Sequence, residues 1–299
     1  MRMLDDMDTI LGAQAARRTD TAASTARALA DGACAAAGIR LVPADDAAAC
    51  ERVLQVMGRI WGWERPQFET PVAVALAHGG NLIAVVETAD GEPIGATMGM
   101  CGPPGRPFHS HIVGLLPAAT GRGVGRAVKL AQRAWCLERG IETMTWTFDP
   151  LVARNAFFNI RRLGALPVEY LPDFYGPMTD AINAGQGSDR LLVEWDLTAA
   201  PPSATRPEPA VPGAATVVAD VAGAASDYLP PHDDAPLALI SVPGDIEGIR
   251  HDDPARAQRW REQTRRALGD LTSRGWTVDG LARRDRTGVQ YVLRRREPQ

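Results

Sequence analysis

Apolar and polar positions along the chain change their spacing several times, and each change marks an element. Residues 39–42, Ile-Arg-Leu-Val, read as a short strand, after which Asp45 or Asp46 caps a helix whose apolar face runs through Val53, Val56, Met57, Ile60 and Trp61. Thr70-Pro71 opens a second helix with a cap hydroxyl and a first-turn proline, and Gly79-Gly80 stops it. Apolar runs at 81–88 and 93–100 flank Ala89-Asp90-Gly91-Glu92, which signals a hairpin, and 108–117 adds a third β segment. A glycine-rich turn follows Pro117. The next helix carries Val124, Val128, Ala131 and Trp135 on one face, and Gly140 sits where a left-handed cap belongs. Residues 141–150 alternate as a strand, 153–163 form a helix closed by Gly164, and 165–171 and 190–197 supply two more strands. The predicted order is β-α-α-β-β-β-α-β-α-β-β.

On either side of this block the pattern fails. Residues 1–38 are Ala, Thr, Arg and Asp with weak periodicity, an Ala-rich N-terminal tail or frayed helix with too few large apolar groups to build a core. Residues 199–236 hold repeated prolines, which fix extended backbone, and read as a Pro/Ala-rich linker. The division is therefore a tail at 1–38, a main domain at 39–198, a linker at 199–236 and a small module at 237–299. That module reads β-α-β-β, with Asp253 as cap and Pro254 as first residue of its helix. Its 13 arginines against nine acids interleave as on a solvated helix face. So short a segment buries a marginal core by itself, so it is expected to pack on the main sheet or to pair between chains in a homodimer.

Composition removes some classes of function. With a formal net charge of -4 and 23% charged residues, the 299-residue chain has no basic excess to hold a nucleic acid and no acidic excess to keep it unfolded. No window reaches the ~18 apolar residues of a membrane span. Three aspartates interrupt residues 1–10 where a signal peptide keeps an apolar core, so the expected location is cytoplasmic, with neither nucleic acid nor membrane as partner. Cys34, Cys50, Cys101 and Cys136 lie far apart with no CxxC spacing and read as inert thiols.

The stretch with most chemistry in it is Thr120-Gly121-Arg122-Gly123-Val124-Gly125-Arg126. A strand, a turn with three glycines and a helix start gather unpaired amides and the positive end of a helix dipole at one point, which suits a phosphate, and Arg122 and Arg126 add charge. A dinucleotide fold would place such a turn after the first strand of a βαβ unit. Here at least three strands in antiparallel style precede it.

In this setting the sequence resembles the GNAT acyl-CoA N-acyltransferase superfamily, whose signature Q/R-x-x-G-x-G/A lies between the fourth strand and third helix. Thr120 to Gly125 match it at both glycines, with Thr120 in place of Gln or Arg. The stretches "GRGVGRAVKLAQRAW", "TWTFDPLVARNAFFNIRRLGA", "YLPDFYG" and "DRLLVEW" are similar to a bacterial branch of GNAT acetyltransferases with a C-terminal extension. The resemblance spans about residues 39–198. It implies an α/β (α+β) fold with a mixed, mostly antiparallel sheet, splayed central strands and flanking helices. It further implies acyl-CoA, first of all acetyl-CoA, with pyrophosphate on the turn at Arg122 to Arg126 and pantetheine beside the strand ending in Leu115 and Leu116. No metal is implied, and the acceptor is a small-molecule amine.

Amine acylation needs a base for the attacking amine and a donor for the leaving thiolate. The superfamily's strand Glu is absent, and His109 and His111 stand in that region, two apart and so on one side of a strand. Either they accept the proton or one satisfies a buried carbonyl while the other is solvated; a metal pair lacks a third ligand. The superfamily's helix Tyr is replaced by Ile160, leaving Tyr170 and Tyr175 as acids or as packed aromatics with wet hydroxyls. Asn155 and Asn159, at i and i+4, either hold pantetheine or substrate or serve as caps. Trp146 and Phe148 read as core before stacking surface, and Asp149 either receives a cationic amine or caps the next helix. The expected activity is acetyl transfer to a small amine, directly within a ternary complex. The alternatives are a catalytically inactive acyl-CoA-binding sensor or scaffold, and transfer through Cys101 or Cys136.

Overall fold

The computed structural model describes residues 21–63, 66–176, 187–202, 205–211, 215–219, 228–232, 235–283 and 288–296. These comprise eleven strands in two sheets with flanking helices. In the first sheet the strands run β1 (Ile39–Pro43), β2 (Leu82–Thr88), β3 (Pro93–Met100), β4 (Phe108–Leu115), β5 (Thr143–Phe148), β7 (Arg190–Asp196) and β6 (Leu166–Leu171). The ladders from β1 to β4 and between β6 and β7 are antiparallel, and β4 pairs β5 in parallel. This is the mixed, mostly antiparallel α/β sheet expected of the main domain.

The chain divides into two compact units, Met1–Thr145 with Asp196–Ala200, and Trp146–Trp195 with Pro201–Gln299. In the first, Asp46 caps α2 (Ala47–Trp61), its carboxylate accepting from the Ala49 amide at 2.7 Å. The buried face Val53, Leu54, Val56 and Met57 meets Ile83, Val85 and Met98 of β2 and β3. α3 (Thr70–His78) begins one residue earlier than its sequence suggests: Glu69 is the cap residue, with no side-chain hydrogen bond, and Thr70 lies inside the helix.

On the other face of β2, Val86 packs with Ile39 and with Val124, Ala127 and Val128 of α4 (Val124–Leu137). Here the chain differs from the sequence expectation, for residues 21–37 form a helix, α1. Ala26 and Ala30 are buried, Ala33, Cys34 and Ala37 pack on the α4 cluster, and the Arg27 guanidinium donates twice to Glu138, each bond 2.7 Å. A surface of small residues lets two helices approach without large apolar groups, which is why the hydrophobic pattern alone is silent here.

In the second unit the helix expected at 153–163 has a change of winding. Ala153–Ala156 form α5, and Phe157–Leu163 continue as a π-helix to Gly164. The segment expected as a linker contains a strand, β8 (Thr216–Ala219), parallel to β9 (Ala238–Pro243) in a four-stranded sheet of order β10-β11-β9-β8, where β10 is Trp276–Arg283 and β11 Gly288–Arg295. Its β-branched Thr216-Val217-Val218 favours a pleated edge, a signal masked by the surrounding prolines. A short helix, α6 (Ile246–Asp252), precedes α7 (Pro254–Ser273), which has the expected Asp253 cap on the Arg256 amide.

Candidate functional site

In the first unit β4 departs from a regular ladder on both edges. Against β3, Met98 faces Ile112 and Met100 faces His109, so Gly99 stands opposite two residues, Ser110 and His111, and β4 carries a bulge. Against β5 only two pairs form, Phe108 with Met144 and His109 with Thr145. β4 then runs on to Leu115 with no further pairing on that edge, leaving its backbone groups there without a ladder partner.

Beyond β4, Leu116 donates its amide to the Ile94 carbonyl at 2.8 Å, and Pro117–Ala119 form one 3-10 turn. The Thr120 hydroxyl donates back to the Pro117 carbonyl at 2.8 Å, so this departure from the resembled signature serves the turn itself. Gly121 and Gly123 have φ of +76° and +82°, values that L side chains rarely adopt, and the space where a Cβ would stand is empty at both. Gly123 is the cap residue of α4. It offers no side chain, no acid stands in the first turn, and the Ala127 amide donates to the Gly123 carbonyl at 3.1 Å. The amides of Val124 and Gly125 precede that bond, and the cap residue supplies no side-chain hydrogen bond, at the positive end of a fourteen-residue helix. Val124 anchors the turn in the core, Arg122 is exposed and Arg126 half-buried. Leu115 also packs inward, against the α4 cluster, so the strand offers backbone rather than a leucine face.

The two histidines of β4 come together. Their ring centroids lie 6.1 Å apart at 35°, although the bulge between them breaks the two-residue period that predicted this. His109 Nδ1 is 3.2 Å from the Thr145 hydroxyl. Burial lowers both imidazoles below the usual histidine range, and for His109 the neighbouring His111 and Lys129 lower it further. Both rings are therefore neutral near pH 7 and able to accept a proton.

Lys129 of α4 is a participant that the hydrophobic pattern misses. Its side chain is buried, Nζ donates to Ser110 Oγ at 2.8 Å, and burial pushes its pKa down to about 7. Ser110 donates to Gln132 Oε1 at 3.0 Å, Gln132 Nε2 to Thr97 Oγ1 at 2.8 Å, and Thr97 to the Ile112 carbonyl at 2.9 Å. The available signal was compositional: this is the one lysine among 32 basic residues.

The other sequence candidates lie in the second unit. Asn155 and Asn159 do not share a face: Asn155 is exposed, whereas Asn159 is buried and accepts from the Trp146 indole at 3.2 Å. Tyr175 is partly exposed, with its hydroxyl 3.0 Å from that of Thr147 and the Arg190 guanidinium over its ring. Tyr170 donates to Asp189 at 2.7 Å, and burial with that carboxylate pushes its phenol up. Trp146 meets Trp195 edge-on in the core, and Phe148 is also buried.

Asp149 is taken up by its own chain: the cap residue of α5 is Val152, with no side-chain cap bond, and the Asp149 carboxylate binds a turn amide and two guanidinium groups. One oxygen accepts the Leu151 amide at 2.9 Å, and the other accepts Arg250 and Arg261 at 2.6 Å each. Burial pushes this carboxyl up, but the guanidinium of Arg261, then that of Arg250, outweighs it and holds it below the usual range. Arg265 pairs in the same way with Asp189 and Asp173. Of the cysteines, Cys50 and Cys136 are buried, Cys34 is half-buried and Cys101 is exposed; burial pushes every thiol up, so none is a ready thiolate.

No protein-family model matches the chain, and no curated protein is similar to it. Solved structures resemble about half of it. A GNAT superfamily phosphinothricin acetyltransferase from Sinorhizobium meliloti, in complex with acetyl-CoA, has 18% identity and a TM-score of 0.43 over 57% of this chain and 96% of its own. A GNAT family acetyltransferase from Elizabethkingia anophelis with acetyl-CoA bound has 7% identity and a TM-score of 0.42 over 53% and 98%. An N-acetyltransferase from Staphylococcus aureus Mu50 has 14% identity and a TM-score of 0.42 over 53% and 98%. Likeness at this level carries no functional argument, which rests on the residues of β4 and the turn.

Proposed function

We propose that the protein is an acyl-CoA-dependent N-acyltransferase that moves acetyl from acetyl-CoA to the amine of a small molecule, directly within a ternary complex. The observation that carries this reading is the turn from Thr120 to Arg126. Two left-handed glycines with open space above them lead into uncapped amides, at the end of a strand whose ladder to its parallel neighbour stops after two pairs. A diphosphate fits that cradle, because amides and the helix dipole favour an anion and Arg122 and Arg126 add charge. The free edge of β4 offers amides and carbonyls of the kind that pantetheine's own amides need. Acetyl-CoA supplies the activated thioester; the chain supplies binding, orientation and a proton acceptor.

An amine attacks only when neutral, so the base must be deprotonated at working pH and must take the second proton as the new bond forms. His109 and His111 meet the first requirement because burial lowers both. His111, the more exposed, is assigned the proton transfer, and His109, held by Thr145, its orientation.

Calorimetry with acetyl-CoA tests the cradle: saturable binding to the wild-type chain and none to Gly123→Glu is the expected result. Thiol release against an amine library then tests transfer, with His111→Ala and His109→Ala expected to reduce it. Ile160 supports a second reading, an acyl-CoA sensor or scaffold without turnover, because an aliphatic residue stands buried where the superfamily carries its tyrosine acid. Binding without transfer to any amine would favour it.

A further inference from the structure

We propose that Lys129 is a positioning residue of the acyl-transfer site: from its buried place on α4 it staples, through Ser110, the β4 bulge that carries His109 and His111. This rests on the acyltransferase reading above and adds a residue to it.

The composition is the first indication. Of 32 basic residues only one is lysine, and it occupies one of the most buried basic positions of the first unit. The chemical difference between the two side chains is that an amine can give up its proton under physiological conditions and a guanidinium cannot. Where the chain needs a permanently charged buried cation it uses arginine, as at Arg261 against Asp149. At 129 it uses the side chain that can become neutral. An aliphatic residue would fill this space without desolvating a charge.

The second indication is where the hydrogen bonds lead. From Lys129 the chain of donors passes through Ser110, Gln132 and Thr97 to the Ile112 carbonyl. Ser110 and Ile112 bracket His111, so the network ties together the two sides of the bulge that presents the histidines. With its proton, Nζ holds the Ser110 oxygen and its charge disfavours a second proton on His109; without it, that repulsion is gone. No bond between heavy atoms changes in either state.

The surroundings contain little else that titrates. β4 presents His109 and His111, and α4 itself Cys136, whose thiol burial pushes up. β3 and β5 offer Thr97 and Met144, which carry no charge. β1 and α1 pack Ile39, Ala33, Ala37 and the thiol of Cys34 on the helix, and the Arg27–Glu138 pair closes its far end. Burial brings Lys129 to about 7, and its charge is among the causes that lower His109, so the two titrations are linked.

The full-length chain labelled with [ε-13C]lysine gives one side-chain resonance, whose titration reads Nζ without any substitution. A midpoint near 7 is expected, and one above 9 overturns the proposal. In Lys129→Met the His109 imidazole, assigned by loss of its signal in His109→Gln, should titrate at higher pH, and the acid limb of the rate profile should move with it. An unmoved His109 midpoint in a folded variant overturns the proposal as well. If Lys129→Met does not fold, Ser110→Ala, which removes the hydroxyl partner, must shift the lysine midpoint. For transfer, Lys129→Met should lower kcat about tenfold with KM for acetyl-CoA unchanged, the loss of one tuned acid–base interaction; the reverse split overturns the assignment. Neither resonance measurement uses acetyl-CoA, so their failure is distinct from a failure of acetyl-CoA to bind.

Discussion

The two units each contain a polar centre, and they differ in how far it is satisfied. In the second unit Asp149 and Asp189 are buried and saturated: arginines from the C-terminal segment and backbone amides take up their oxygens, and Tyr170 and Tyr291 donate beside them to Asp189 and to the Pro150 carbonyl. In the first unit the helix start at Gly123 has no side-chain cap, and the β4 edge stops pairing after His109. Carboxylates matched in this way hold the second unit together, even though Arg261 keeps Nε and Nη1 buried without a hydrogen-bond partner, whereas a helix start and a strand edge are backbone groups of the kind a ligand takes up. The contrast gives the second centre a structural role and makes the first the place where the proposed binding is tested.

The sharpest way to break this comparison is to damage the saturated centre. Arg261→Ala leaves a buried carboxylate with one guanidinium fewer and should cost about 3 kcal/mol of stability, read as a lower midpoint in chemical denaturation. On the binding side, His111→Ala should slow transfer on the order of a hundredfold while leaving the denaturation midpoint within about 0.5 kcal/mol of wild type. If it destabilises like Arg261→Ala, the histidine belongs to the scaffold. Gly123→Ala keeps the cradle open but forces a side chain to φ +82°, and should cost about 1–2 kcal/mol of stability and weaken acetyl-CoA binding.

Strong acid should weaken the second centre. The carboxyls of Asp149 and Asp189 are lowered in the folded chain, so their contribution is complete above the unfolded value near 3.9 and disappears as pH falls through the folded values. Denaturation midpoints measured below about pH 4 should therefore fall more steeply in wild type than in Arg261→Ala. The smallest effect belongs to the exposed pair of Arg27 with Glu138: Glu138→Gln should change stability by about 0.5 kcal/mol, and less in high salt.

Much of the fold was legible because its elements carry strong local signals. The Asp46 cap, the Asp90-Gly91 hairpin and the Val124-Val128-Ala131 stripe all form where their spacing predicts. The glycine turn was legible for the same reason, since positive φ leaves a mark in the sequence. What was missed depends on contacts distant along the chain. α1 docks through alanines that have no hydrophobic signature, and β8 exists because β9 pairs it. The winding of 157–163 is not encoded in residue type. Arg250 and Arg261 reach Asp149 across more than a hundred residues, so no local pattern points to them. Lys129 was visible as a compositional exception, but only burial shows what the exception is for.

Gly114, in the second half of β4, has an evolutionary consequence. A methyl at this position would overlap the six-membered ring of Trp61, whose indole occupies the room that the missing side chain leaves. Positions 61 and 114 are thus a lock and its keyhole separated by some fifty residues of chain. Homologues that carry alanine or larger at 114 should have exchanged the tryptophan for a slimmer neighbour, and that paired drift will be readable in any sufficiently deep set of relatives.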